Sequence, residues 1–249
     1  MVCGSMLAKI VEGDCLDLIP TLEDASINLV VTDPPYNIAK DTTVVEFPDK
    51  RYSSYLNEAE WDIFSSKSGF LQWMMKWASI LYPKMKKNSS MYVFCADKFI
   101  SYIGDLYQSI GFEWAKTITW YKVNAAPRCF KTSFSTAAEY ILYFRKGKPT
   151  FNWQGELLTR NVITCPMCKN SERWGHPTQK PEWLISHLIK ISSNENDLVL
   201  DPFGGVGTTA KCCLDLKRRN ISFEINPDYV KKAKKRLEAA QPPFNIFCI

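Results

Sequence analysis

The stretch Asp33-Pro34-Pro35-Tyr36 comes directly after the apolar run Ile27–Val31 and a single Thr32. A turn out of a buried strand needs only a glycine or a capping residue. A carboxylate, two residues of restricted φ and a tyrosine do more, because they set fixed hydrogen-bond acceptors beside an aromatic face. That combination suits a flat heterocycle carrying an exocyclic amine. A second stretch, Asp201-Pro202-Phe203-Gly204-Gly205-Val206-Gly207-Thr208-Thr209, puts glycines where an apolar strand hands over to a helix. There the backbone can approach a ligand closely, and free amides at the helix start attract an anionic group. Alone, such a loop is equally compatible with simple turn geometry. It has neither the six-residue dinucleotide fingerprint nor the Gly-Lys-Ser/Thr end of a P-loop. Glu224 sharpens the reading. It closes the next apolar strand, about twenty residues on, where a carboxylate can accept from both hydroxyls of a ribose. Loop and acid together read as a nucleoside-cofactor site.

These residues need strands to end where they stand. The segment from Leu7 to Tyr36 reads as a short strand, a turn at Gly13-Asp14, a brief helix and a buried strand. Residues 38–60 lose all periodicity and read as a long mobile surface loop, a length usually associated with function. Between Trp61 and Met85, the positions Phe70, Leu71, Met74, Trp77, Ala78 and Leu81 recur at helical spacing. A buried strand over 90–96 follows, then a helix from Phe99 to Ile110 ending near Gly111. Two further strands, 113–122 and 137–147, are joined by a basic segment. Residues 148–175 read as irregular, and an amphipathic helix follows with Pro181 in its first turn. Alternation of strands and helices predicts an α/β fold with a mixed, mostly parallel sheet covered by helices on both faces.

The bulk properties exclude several classes. The 249 residues fit one large α/β domain, with 46% hydrophobic and 23% charged residues as in ordinary globular proteins. No apolar run reaches the roughly 20 residues that span a bilayer. A secretory signal is not evident either, so the expected compartment is the cytoplasm. Nine scattered cysteines, two of them adjacent at Cys212-Cys213, read as reduced thiols rather than a disulfide framework. A net charge of +5 permits a polyanionic partner without demanding one. Cys165 and Cys168 have the spacing of a zinc knuckle, but a structural site needs four ligands and only Cys129 and His176 stand near in sequence. No metal is therefore expected. His187 reads as a surface residue, the Lys231–Ala240 helix as a solvated face, and Trp61, Trp73 and Trp77 as packing residues.

Taken together, Asp33-Pro34-Pro35-Tyr36, the Asp201–Thr209 loop, His176-Pro177-Thr178-Gln179-Lys180-Pro181 and the strand-end Glu224 resemble the S-adenosylmethionine-dependent DNA amino-methyltransferases. The tetrapeptide precedes the glycine loop, which is the circularly permuted order of their β class, and the likeness runs from about Ile10 to Leu237. The resemblance implies a Rossmann-like fold and a single catalytic domain over residues 6–240, with residues 147–175 as a short target-recognition segment. It implies that Asp201, Phe203, Gly204, Gly205, Gly207 and Thr208 surround the methionine part of S-adenosylmethionine and that Glu224 holds its ribose. Asp14 would approach the adenine. His176, Thr178, Gln179 and Lys180 would hold the carboxylate end, with Asp33 near the methionine amine. Lys122, Arg128 and Lys131 in the basic segment are the expected DNA contacts. Double-stranded DNA is the implied partner. The resemblance further suggests a homodimer and a cognate restriction endonuclease acting separately.

The chemistry fits the tetrapeptide. The exocyclic nitrogen of adenine is a poor nucleophile because its lone pair is delocalised into the ring. Accepting both of its N–H bonds, from the Asp33 carboxylate and the Pro34 carbonyl, favours a localised lone pair. Pro34 and Pro35 hold those acceptors in place before substrate arrives. The face of Tyr36 offers a stacking surface for a base turned out of the duplex. Direct in-line methyl transfer then needs no metal and no covalent enzyme intermediate. A leading Asp, where a Ser is the other family form, leans towards adenine N6. Cytosine N4 is the alternative that the same site supports, and an RNA substrate is disfavoured by the motif order. A non-catalytic nucleic-acid-binding subunit is the reading from another class, against which stand the intact Asp33, Tyr36 and Glu224.

Overall fold

The structure, a computed structural model, describes residues 7–37, 45–47, 50–52, 64, 66–125 and 134–240. In chain order the elements are β1 (Ala8–Glu12), α1 (Cys15–Leu18), β2 (Ile27–Thr32), β3 (Val45–Phe47), β4 (Lys50–Tyr52), α2 (Lys67–Leu81), β5 (Met85–Cys95) and α3 (Ile100–Ile110). They continue with β6 (Glu113–Tyr121), β7 (Ala138–Lys146), β8 (Val162–Thr164), α4 (Glu182–Ser192), β9 (Leu198–Asp201), α5 (Thr208–Asp215), β10 (Arg219–Glu224) and α6 (Pro227–Ala240). Eight strands form one sheet in the order β1-β10-β9-β2-β5-β7-β6-β8. Strands β1, β10, β9, β2 and β5 run parallel, β7 is antiparallel to both β5 and β6, and β8 is parallel to β6.

Strand β2 shows why the sheet is covered twice. Side chains alternate across a strand, so Val30 enters one core while Leu29 and Val31 enter another, and a register irregularity between Ile27 and Leu29 puts Ile27 on the side of Val30. The first core packs α2 and α3 against the sheet through Phe70, Met74, Trp77, Ala78, Leu81, Ile103 and Tyr107. Ser66 starts α2 by accepting from the Gly69 amide, and its buried positions follow the expected helical stripe. Gly111 ends α3 at φ +119°, a value that side chains resist. The second core packs α4 and α5 on the opposite face through Leu184, Ile185, Leu188 and the buried pair Cys212-Cys213. Helix α6 lies over β1 through Val230, Ala233 and Leu237.

Chain direction makes the site. From β2 the chain crosses through α2 to β5 on one side, and from β9 it crosses through α5 to β10 on the other. Between β2 and β9 the strand order reverses, and at such a switch point the carboxyl ends of the strands leave a crevice. Asp33–Tyr36 follows β2, and the glycine loop follows β9.

Several sequence expectations change. Within 38–60, β3 and β4 pair antiparallel as a short hairpin, where only loop was expected. The remainder of that segment, like Trp61, Arg128, Cys129 and Lys131, lies outside the described residues. Residues 148–175 are not wholly irregular, because Val162–Thr164 extends the sheet beside β6. His187 is not a surface residue. It is 6% exposed, its Nε2 lies 2.7 Å from the Leu158 carbonyl, and its ring stacks on Trp183. Nor is the Lys231–Ala240 face wholly solvated, since Arg236 is buried. His187 and Arg236 move inside where a carbonyl or a carboxylate partners them. Among the described residues, no helix is long and apolar enough to cross a membrane.

Candidate active site

One cavity of about 450 Å³ opens at the switch point. It is lined by Asp33-Pro34-Pro35-Tyr36, by the glycine loop, by Asp14, by Glu224, and by His176, Thr178, Gln179 and Lys180. Segments far apart in sequence thus meet on one surface. Thr32 donates to Asp201 Oδ1 at 2.9 Å, which ties the end of β2 to the end of β9 inside the crevice.

The glycine loop is held by its own carboxylates. Asp201 is 4% exposed and accepts from Thr32, from the Phe203 amide at 3.1 Å and from Thr209 Oγ1 at 2.7 Å. Burial pushes its carboxyl up to about 6 against those hydrogen bonds. Glu224 accepts from the Gly205 amide at 2.7 Å and from the Asn226 amide at 2.8 Å. Burial raises its pKa also, with the amides acting in the opposite direction. Asp14 accepts from the Leu16 amide at 2.8 Å and so starts α1 at the cavity wall.

The glycines divide their labour. A Cβ on Gly204 would stand 2.9 Å from Ser222 Cβ and 3.2 Å from the Phe223 carbonyl, so its missing side chain brings the loop onto β10. Gly207 does not line the cavity. At φ +77° a Cβ there would press on Ala233 at 3.0 Å, so this glycine serves the contact with α6 rather than the ligand side that the resemblance assigned it. Arg236 holds the same corner. Its Nη1 donates to the Val206 carbonyl at 3.2 Å and to Thr208 Oγ1 at 3.0 Å, and its Nη2 donates to Glu182 Oε1 at 2.6 Å. Nothing in the motif patterns points to Arg236; its place next to the inner stripe Val230, Ala233 and Leu237 is the one signal available.

Around the tetrapeptide the charges are paired. Tyr36 Oη donates to Asp33 Oδ1 at 2.6 Å, and the buried Lys180 ammonium donates to Asp33 Oδ2. Lys180 also lies 3.5 Å from Glu139 Oε2, and Glu139 Oε1 accepts from Lys122 at 2.7 Å. Burial opposes the charge on Lys180, but Asp33 and Glu139 together raise its pKa, so it stays protonated. Burial also favours neutral Glu139, yet Lys180 and Lys122 hold it below the usual carboxylate range. Asp33 goes the other way. Burial, aided by Glu139, lifts it above its ordinary value against Lys180 and Tyr36. His176 is kept neutral, pushed down to about 4 by burial and by Lys180 and Lys232.

Two readings move. Lys122 does not project as an unpaired cation; its ammonium sits on Glu139 with the side chain 11% exposed. Tyr36 offers its hydroxyl to the Asp33 carboxylate as well as lining the cavity. Glu139 was not among the sequence candidates. Its signal is a charge at the start of the apolar strand Tyr140–Phe144, where an ionised group needs a partner. Gln179 turns towards the 165–174 segment, donating to the Glu172 carbonyl at 2.7 Å and accepting from the Trp174 amide at 2.9 Å. Cys165 and Cys168 are buried free thiols, and among the described residues no group of three or more His, Cys, Asp or Glu is arranged to hold a metal.

Comparison with known proteins agrees with this geometry. A family model described as DNA methylase, for N6 and N4 methyltransferases, matches residues 27–235. The type II methyltransferase M.HinfI of Haemophilus influenzae is 31% identical, over 96% of this chain and 70% of its own length. M.HpaI of Haemophilus parainfluenzae is 30% identical, over 93% of this chain and 74% of its own length. Among solved structures, that of the M1.HpyAVI–SAM complex is 31% identical and superposes with a TM-score of 0.69, covering 92% of this chain and 98% of the other. The cytosine-N4-specific PvuII DNA methyltransferase shares the fold at a TM-score of 0.72 and 21% identity, over 92% of this chain and 85% of its own. With the glycine loop, the paired tetrapeptide and the strand-end acid on one cavity, and with that family model spanning most of the chain, this protein belongs to the DNA methylase family of N6/N4 amino-methyltransferases.

Proposed function

We propose that this protein is a site-specific DNA methyltransferase that moves a methyl group from S-adenosylmethionine to the N6 amine of an adenine turned out of duplex DNA. The observation that carries the proposal is the shared cavity, in which an acceptor carboxylate stands beside a cradle for a nucleoside cofactor. The residues fit S-adenosylmethionine. Gly204 and Gly205 bare the backbone, Glu224 presents a carboxylate at the end of β10, and Asp33 and Asp201 supply negative charge for a cation. S-adenosylmethionine supplies an electrophilic methyl group on a sulfonium, whose carbon–sulfur pair stays on sulfur as a neutral thioether once nitrogen has taken the carbon.

The chain's own groups act on the amine. Asp33 accepts one N–H and draws the nitrogen lone pair out of conjugation, while the prolines hold that acceptor still. Tyr36 anchors Asp33 through its hydroxyl and offers its ring to the base. When the new N–C bond forms, the nitrogen sheds one proton. It passes to Asp33, the carboxylate proposed to accept from that N–H, and then to water. Duplex bases are out of reach in the stack, so extrusion is part of the proposal.

DNA would meet the segment between β6 and β7. The chain leaves the sheet at Lys122 and returns at Ala138, next to Glu139 on the cavity wall. Arg128 and Lys131 lie within that segment and carry the proposed phosphate contacts, with Lys122 at its base. A homodimer and a separately acting restriction endonuclease belong to the same proposal, on the strength of the family resemblance. The test incubates the protein with isotopically labelled S-adenosylmethionine and unmethylated genomic DNA, then separates the nucleosides by mass spectrometry. Labelled N6-methyladenine is the expected product. N4-methylcytosine would reassign the base, and unlabelled DNA would refute the reading.

A further inference from the structure

The reading above makes Asp33 an acceptor, yet both of its oxygens already have donors. Tyr36 holds Oδ1 and Lys180 holds Oδ2, so the target amine must share an oxygen with one of them. How tightly the ammonium closes on Asp33 then decides how much acceptor strength is left. A bare Asp33–Lys180 pair would put the whole ammonium charge on Asp33. Here the ammonium is hydrogen-bonded to Asp33 while a second carboxylate draws on its charge: Glu139 Oε2, shielded from solvent and without a hydrogen bond of its own, stands 3.5 Å from the same Nζ. Such a group costs folding energy in a strand that runs on through Ile141, Leu142 and Phe144 unless it is paired. Lys122 pairs it from the far side at 2.7 Å. The result is a row of alternating charge from the cavity to the end of β6: Asp33, Lys180, Glu139, Lys122.

We propose that Glu139 is a positioning residue for methyl transfer, sharing the Lys180 ammonium so that the Asp33 carboxylate stays available to the target amine. The inference rests on the methyltransferase reading. Charged and titratable groups face Asp33 from five elements: Tyr36 beyond β2, Cys95 at the end of β5, Glu139 on β7, Lys180 ahead of α4 and Asp201 at the end of β9. Burial keeps Tyr36 and Cys95 protonated, and Asp201 acts alike in every variant below. Glu139 and Lys180 are the pair that can be shifted against each other.

The experiment measures single-turnover methyl transfer against pH at saturating S-adenosylmethionine and duplex DNA, with cofactor affinity taken by calorimetry. Asp33 must be ionised to accept, so the rate falls as pH drops through its pKa. Glu139→Gln removes a neighbouring negative charge, lowers that pKa and moves the acid limb to lower pH. Its plateau rate should fall about 10- to 100-fold as the undivided Lys180 charge weakens Asp33 as an acceptor, with cofactor affinity unchanged. Glu139→Asp keeps the charge and should restore most of the rate. Lys122→Met leaves Glu139 pulling harder on Lys180 and should move the limb the opposite way. A Glu139→Gln variant with the wild-type rate and limb overturns the inference, as does an equal loss of cofactor binding or a shift of both variants in one direction. Should Glu139→Gln fail to fold, an unmoved limb in Lys122→Met overturns it instead. Wild-type protein that transfers nothing to DNA refutes the methyltransferase reading first, and this one with it.

Discussion

Replacing Glu224 separates the two jobs its carboxylate can hold. The structure shows it accepting the Gly205 amide at 2.7 Å and the Asn226 amide at 2.8 Å. A hydrogen bond to a charged group contributes about 1.5–3 kcal/mol, so each contact matters to the shape of the glycine loop. Glu224→Gln keeps one carbonyl oxygen and turns an amide N–H₂ towards the other donor, losing one of the two. Ordering the loop again on binding would then weaken S-adenosylmethionine by about 10- to 150-fold, the equilibrium equivalent of that loss. Glu224→Ala loses both contacts and the proposed ribose acceptor, and should bind more weakly still. Calorimetry on the purified variants measures the affinities, and filter binding with duplex DNA supplies the control, which should not move. Both variants binding cofactor within about twofold of wild type would remove Glu224 from the loop's support and from the ribose alike.

Asp201 tests burial. Its carboxyl is raised to about 6 in the fold, so its contribution to stability is present below the unfolded pKa near 3.9 and is lost as pH rises through 6. Asp201→Asn escapes that loss and should melt higher than wild type above about pH 6, by up to roughly 3 kcal/mol, with the gap closing towards pH 4; a gap independent of pH in thermal melts would contradict the assignment. Tyr36→Phe removes a buried hydroxyl from an ionised acceptor and should slow transfer by about 1.5–3 kcal/mol. Tyr36→Ala should lose a further 1–3 kcal/mol or so of base stacking, read as weaker 2-aminopurine fluorescence at the target position, with cofactor affinity level across the series. Equal rates for Phe and wild type would leave the Tyr36–Asp33 contact without a role. For the DNA surface, Arg128→Ala and Lys131→Ala should each reduce the salt slope of binding by about 0.9, while Lys122→Ala, starting from a cation already paired with Glu139, should reduce it less. Identical slopes throughout would move the DNA surface elsewhere.

Local chemistry was legible from sequence because it is written in neighbouring residues. The apolar run Ile27–Val31 placed a buried strand ahead of Asp33, and glycines after Leu198–Asp201 placed a loop before α5. Gly111 ended α3 and the helical stripe from Phe70 to Leu81 faced the core, since period and capping act over a few residues. Motif order then identified which strand ends had to meet. What a side chain does after they meet depends on partners that no short pattern names. Lys180 and Asp33 are 147 positions apart, and Arg236 lies 54 positions from Glu182. His187 and Arg236 looked exposed because charge and polarity suggest solvent, yet each is buried beside a carbonyl or carboxylate that it meets. Gly207 belonged to the glycine motif by sequence and to the α6 contact by geometry. Sequence by itself determined the alternating α/β order and the residues gathered at the crevice. Only the tertiary structure decided that Lys122, Glu139 and Lys180 would form one row of charge behind Asp33, because electrostatic pairing follows distance in space and not along the chain.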